Sequence, residues 1–128
     1  MQFDDSQPIW LQLTAEFQRR VVAGEWPRGQ RIPSVRELAA EVGVNPNTVQ
    51  KSLAELDRLG LTASERTAGR RVTTSSSVID RARKELARGL ADQYVKGVKG
   101  MGLQSNAAVE LVKSSWERVQ VAAGEEEK

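Results

Sequence analysis

The segment Pro33–Leu53 constrains the fold of this chain more than any other, because two sets of helix start signals stand there eleven residues apart. Ser34 and Glu37 are spaced as a capping box, in which the serine side chain takes the N–H of the glutamate and the glutamate side chain takes the N–H of the serine. Val35, Leu38, Ala39 and Val42 then recur at helical spacing, and Gly43 ends the run where a helix terminus wants positive φ. Asn45 is a strong N-cap type, and Pro46 at the first helical position loses nothing, since that N–H has no helical partner. Val49, Leu53, Leu56 and Leu59 follow as one buried stripe that stops at Gly60. Two short amphipathic helices joined in this way read as a helix-turn-helix.

Off the stripe, the second helix carries Asn47, Thr48, Gln50 and Lys51 at its N-terminal end. Such side chains donate and accept toward base edges and phosphates, and the helix terminus adds partial positive charge. A polar face alone is ordinary, since every amphipathic helix has one; the paired spacing and the flanks add the weight. Upstream, Ile9, Trp10, Leu13, Phe17, Val21 and Val22 predict a helix from about Pro8 to Ala23, ended by Gly24. Arg31-Ile32-Pro33 reads as a short extended link. Downstream, Leu61–Ser64 and Val72–Ser75 are strand candidates that bracket a polar loop containing Arg66, Gly69, Arg70 and Arg71. A basic hairpin directly after such a helix reads as a wing, the alternative being an ordinary solvated hairpin.

Together these words resemble the gluconate-repressor (GntR) family of bacterial winged helix-turn-helix transcription regulators. The resemblance rests on Pro8-Ile9-Trp10-Leu11-Gln12-Leu13, on Gly24 through Ala39, on Gly43 through Val49, and on Leu53-Ala54-Glu55-Leu56 with Leu59-Gly60-Leu61. It runs without gaps from about Gln7 to Val72. It implies that Arg36 contacts DNA, that Asn45, Asn47, Thr48 and Gln50 reach bases and phosphates, and that Gly69 is the wing-tip glycine at the minor groove. Two departures stand out. The family often has arginine at the place of Gln50, and glutamine pairs with adenine. The wing, Thr67-Ala68-Gly69-Arg70-Arg71-Val72, lacks one family glycine and the aromatic, and has two arginines instead.

Composition narrows the choice of function. With neither cysteine nor histidine, disulfides, thiol chemistry, the usual zinc sites and the usual general base are excluded. No long apolar run predicts a membrane span, and Met1-Gln2-Phe3-Asp4-Asp5 has no signal-peptide build, so cytoplasmic residence is expected. A net charge of only +2 argues against indiscriminate nucleic-acid binding. Under the winged fold Arg36, Lys51, Arg66, Arg70 and Arg71 are expected on one side, with Glu16, Glu55 and Asp57 elsewhere.

After Val72 the polar stretch Thr73–Ser77 reads as a hinge, followed by a helix from about Ser77 to Val98 carrying Ile79, Ala82, Leu86, Leu90, Tyr94 and Val98. Lys99–Leu103 is a turn, and Ser105 or Asn106 caps a last helix with Ala108, Leu111, Val112, Ser115, Trp116 and Val119 on one face. Two helices cannot bury both faces alone, so pairing of two copies is expected through Ile79, Leu86, Leu90, Tyr94, Leu111 and Trp116. The short second half resembles the YtrA-like subfamily, which is dimeric.

The expected architecture is mainly α: a winged helix-turn-helix of three helices and a small β-hairpin over residues 1–75, a two-helix dimerisation segment over 76–123, and an acidic tail over 124–128. The expected function is that of a homodimeric transcription regulator, most simply a repressor, on a near-palindromic double-stranded DNA operator. No cofactor is implied, and a small-molecule effector, if one exists, has a seat near Trp116 or Tyr94. The competing classes are a winged helix used only to bind protein, which predicts no salt-dependent DNA affinity, and an enzyme, for which no constellation exists.

Overall fold

The computed structural model describes residues 1–121, which form two compact units, 1–87 and 88–121. In chain order the elements are α1 (Ile9–Val22), α2 (Val35–Val42), α3 (Pro46–Arg58), β1 (Thr62–Glu65), β2 (Gly69–Val72), α4 (Ser76–Gly100) and α5 (Ser105–Arg118). The predominantly α architecture with one antiparallel hairpin is as expected, and helix boundaries in the first unit agree to within a residue or so.

In the first unit α1 and α2 both pack on α3. Leu13, Phe17, Leu38, Val49, Leu53 and Leu56 are completely buried at the common centre. Each such aliphatic or aromatic side chain is worth roughly 1.5–3 kcal/mol in water-excluded area, which makes this the main stabilising element of the unit. Phe17 and Trp26 stack at 5.1 Å between ring centroids. Arg20 lies 5.6 Å over both rings. Its guanidinium also bonds Glu16 at 2.9 Å and Glu41 at 2.6 Å, tying α1 to α2. A second tie joins α1 to α3: the Trp10 carbonyl accepts from Thr14 Oγ1 at 2.6 Å and from Ser52 Oγ at 2.9 Å. Ser52 is fully buried and so needs that partner.

Four expectations require correction here. Leu59, placed on the buried stripe, caps the C-terminus of α3 and is 39% exposed, because it lies beyond the last helical residue, Arg58, and the buried face ends at Leu56. The hairpin is tighter than expected: β2 begins at Gly69, three residues before Val72, and pairs Glu65 with Gly69 and Thr62 with Val72. The link at Arg31 joins it through an antiparallel bridge to Arg71. Ile79, expected on the pairing face, is 8% exposed within the first unit's core, where Val78 and Ala82 also pack. The first turns of α4 therefore belong to the winged unit, and Arg83 adds a bond to the Val22 carbonyl at 2.9 Å. The compact units divide after Ala87, inside α4, and not at residue 75.

The second unit holds the rest of α4 and α5. Tyr94 Oη donates to the Ala108 carbonyl at 2.7 Å, and Ala108 is buried beside it. The last helix is preceded by Gln104, which gives no side-chain cap, so neither Ser105 nor Asn106 fills that role. Leu86, at the end of the first unit, is half-buried. Leu90 is 69% exposed, Trp116 is 81% exposed, and Leu111 is likewise open to solvent. Tyr94, Leu111, Val112, Trp116 and Val119 line an open apolar groove of about 680 Å³. No helix among the described residues is long and apolar enough to cross a membrane. The acidic tail, 124–128, lies outside the described residues.

Candidate nucleic-acid interface

The start of α2 is held by the capping box its sequence specifies. Ser34 Oγ accepts from the Glu37 N–H at 3.1 Å, and Glu37 Oε1 accepts from the Ser34 N–H at 3.0 Å. The Ser34 N–H bond, with a smaller contribution from the Ser34 side chain, holds the Glu37 carboxyl below the usual glutamate range. Arg36, next to Glu37 in that first turn, is exposed and has no ion pair or hydrogen bond among the described residues. Gly43 ends α2 at φ +71°, a left-handed conformation that other residues resist, and this reverses the chain into α3. There Asn45 Oδ1 accepts from the Asn47 N–H at 2.7 Å and Pro46 occupies the first helical position.

The consequence is a projecting helix end. Val49 faces the core, while Asn45, Asn47, Gln50 and Lys51 are exposed and Thr48 is half-buried. Lys51 is not wholly free: its Nζ sits 4.3 Å from the centre of the Trp10 ring, a cation–π contact that parks the ammonium beside α1.

The wing divides its arginines unequally. Arg66 is exposed in the three-residue turn 66–68. Arg71 is partly exposed, with Nε 3.4 Å from Glu65 and Nη1 3.3 Å from the Gly29 carbonyl. Arg70 departs from the expected DNA contact. Its side chain is only 13% exposed and grips Asp57 of α3 through two bonds of 3.0 and 3.1 Å. Thr62 Oγ1 donates to the same carboxylate at 2.5 Å. Alternation along β2 explains the difference, since Arg70 and Arg71 must point to opposite faces. Asp57, expected away from this side, is thus the strut that joins the wing to the helix before it. Gly69, expected near the wing tip, opens β2 at φ +76°.

Sequence reasoning passed over three residues of this region: Trp10 beneath Lys51, Asp57 behind Arg70, and Arg31 alongside Gly69. For Asp57 the i, i+5 spacing to Thr62 and the arginine in the next strand were the available signal. For Trp10 and Arg31 the signal lay in pairing between distant segments, which no local spacing shows.

Comparison with known proteins agrees with this geometry. Residues 11–72 match the family described as "Bacterial regulatory proteins, gntR family". The chain is 34% identical to the uncharacterized HTH-type transcriptional regulator YhcF of Bacillus subtilis, over 88% of this chain and 93% of that protein. It is 31% identical to the HTH-type transcriptional repressor YtrA of the same organism, over 84% of this chain and 79% of that one. A solved GntR family transcriptional regulator from Listeria monocytogenes superposes with a TM-score of 0.80 at 29% identity, covering 88% of this chain and 98% of that chain. These relatives are regulators and not enzymes. The exposed α3 tip, the wing packed behind it and the match along nearly the whole chain lead to one conclusion: the protein belongs to the GntR family of winged helix-turn-helix transcription regulators, among its short YtrA-like members.

Proposed function

We propose that the chain works as a homodimer that represses transcription from a near-palindromic operator, in the cytoplasm where the chromosome lies. The observation that carries the DNA contact is the exposed end of α3, where Asn45, Asn47 and Gln50 project beside the unpaired Arg36. In the major groove Asn47, Thr48 and Gln50 read or frame bases, and Arg36 and Lys51 hold phosphates, Lys51 by swinging off Trp10. Gly69, Arg66 and Arg71 lie toward the minor groove. Pairing is supported by the apolar faces of the second unit, where Leu90, Leu111 and Trp116 stand exposed among the described residues. Tyr94 lines the same apolar groove and Leu86 is half-buried at the end of the first unit, whereas Ile79 has left this set. A two-fold dimer presents two α3 ends to half-sites about 10 base pairs apart. The similarity to the repressor YtrA favours repression over activation.

Selection of bound duplexes from a random pool tests this. An inverted repeat with that spacing is expected, and Arg36→Ala and Gln50→Ala should weaken binding to it while the dimer persists. The Gln50 change should relax discrimination at one base position by about 1–3 kcal/mol. Variants that both titrate like the parent at fixed salt would place the contact elsewhere.

A further inference from the structure

Arg31 is held against the wing by backbone pairing. Val72 N–H donates to the Gln30 carbonyl at 2.9 Å and Ile32 N–H to the Arg70 carbonyl at 3.0 Å. Arg31 is thereby set opposite Arg71 in the antiparallel bridge. Alternation sends Ile32 into the core and turns Arg31 outward, where it is exposed. Like charges directly opposite one another on neighbouring strands repel, and an anion placed beside them relieves the pairing. Arg71 has one in Glu65, at 3.4 Å. Arg31 has no ion pair or hydrogen bond among the described residues. Glu37 lies within Coulombic reach, but its carboxylate is bonded to Ser34.

The space around the guanidinium is also specific. Arg31 crosses Gly69 so closely that a Cβ there would stand 3.1 Å from Nε. The side chain borders a cleft of about 250 Å³, with Ser34 and Val35 at the start of α2 on one side and Glu65 and Gly69 on the other. The cleft thus adjoins the helix turn that carries Arg36. Arg70, a cation on the neighbouring strand, is withheld by its bonds to Asp57.

We infer that Arg31 is a phosphate-binding residue of the DNA interface, seated between α2 and the wing, and that it supplies the cation which Arg70 withholds. The inference rests on the DNA-binding reading above. A backbone phosphate entering the cleft would relieve the repulsion between Arg31 and Arg71, at a place bordered by the first turn of α2, which also carries Arg36.

The test is a salt series of anisotropy titrations with the full chain and a mixed-sequence duplex of about 30 base pairs, long enough for two half-sites. Arg31→Gln should lower the magnitude of the log K against log salt slope by about 0.9 for each phosphate it leaves unneutralised, about 1.8 for a dimer. Arg31→Lys should keep the parent slope and thermal midpoint, and Arg31→Gln, which removes one of two opposed cations, should leave the midpoint level or raise it. If Arg36→Ala flattens the slope and Arg31→Gln does not, the inference falls while the DNA-binding reading stands. Equal losses from Arg31→Lys and Arg31→Gln would make the role one of packing on Gly69, and overturn it too. A parent chain whose binding ignores salt would remove both.

Discussion

The two compact units treat apolar surface in opposite ways. In residues 1–87 three helices, a hairpin and the first turns of α4 close over one centre, and Phe17, Leu38 and Leu53 are sealed from water. Among the described residues of the second unit Ala108 is the one buried apolar side chain, while Trp116 and Leu90 stand largely in solvent. Two helices enclose too little volume to hide two faces, whereas three crossing helices leave an interior. The first unit thus closes over its own core, whereas the described residues of the second leave most of their apolar side chains in solvent. In the proposed assembly a second copy covers them.

The largest effect should come from cutting the chain at the division between the units. A fragment ending at Ala87 keeps Ile79, Val78 and Ala82, so it should remain folded and sediment as a monomer, with operator affinity greatly reduced. A fragment that stays dimeric would break the contrast drawn above. Cutting after Ser77 is predicted to be worse, because it strips those three side chains from the first core.

Next in size are truncations within each unit. Phe17→Ala should cost about 3–5 kcal/mol in chemical denaturation, whether or not the chain is dimeric, because it opens a cavity in a closed core. Trp116→Ala should instead shift the monomer–dimer equilibrium in sedimentation and leave the first unit's own unfolding unchanged. Should Trp116→Ala destabilise the isolated protomer as much as Phe17→Ala, the second unit would be self-sufficient after all.

Smaller again is the strut between helix and wing. Asp57→Ala leaves a mostly buried guanidinium and the Thr62 hydroxyl without their acceptor, at a cost of about 1–3 kcal/mol. Faster amide exchange in Gly69–Val72, with α1 unchanged, is the expected signature. Asn45→Ala removes one N-cap bond at the start of α3 and should cost about 1 kcal/mol.

The smallest effect concerns pH. The folded-state Glu37 carboxyl titrates below its ordinary value of 4.5, so its contribution is complete above that value and fades as pH falls through the lowered one. Glu37→Gln should therefore narrow the difference in thermal midpoint between neutral pH and about pH 3. An unaltered pH profile would show that the box stabilises through geometry alone.

Legibility in the sequence followed the range of the interactions. The capping box at Ser34 and Glu37, the left-handed Gly43 and the Asn45-Pro46 start were readable because each involves partners within four residues. The helical stripes through Val49 and Leu53 were readable because periodicity marks a buried face. Leu59 was misjudged because a stripe does not announce where its cover ends. Ile79 was misjudged because its spacing suits either of two neighbours equally well.

Local chemistry in the chain was therefore enough to establish where helices begin and stop, which face of each is apolar, and that a helix-turn-helix with a basic hairpin must result. Which arginine of that hairpin faces solvent, what Asp57 grips, where α4 changes allegiance and which cation lies across Gly69 were settled by folding itself. These outcomes depend on strand register and on segments tens of residues apart meeting in space, and a linear pattern of residue types does not encode either distance.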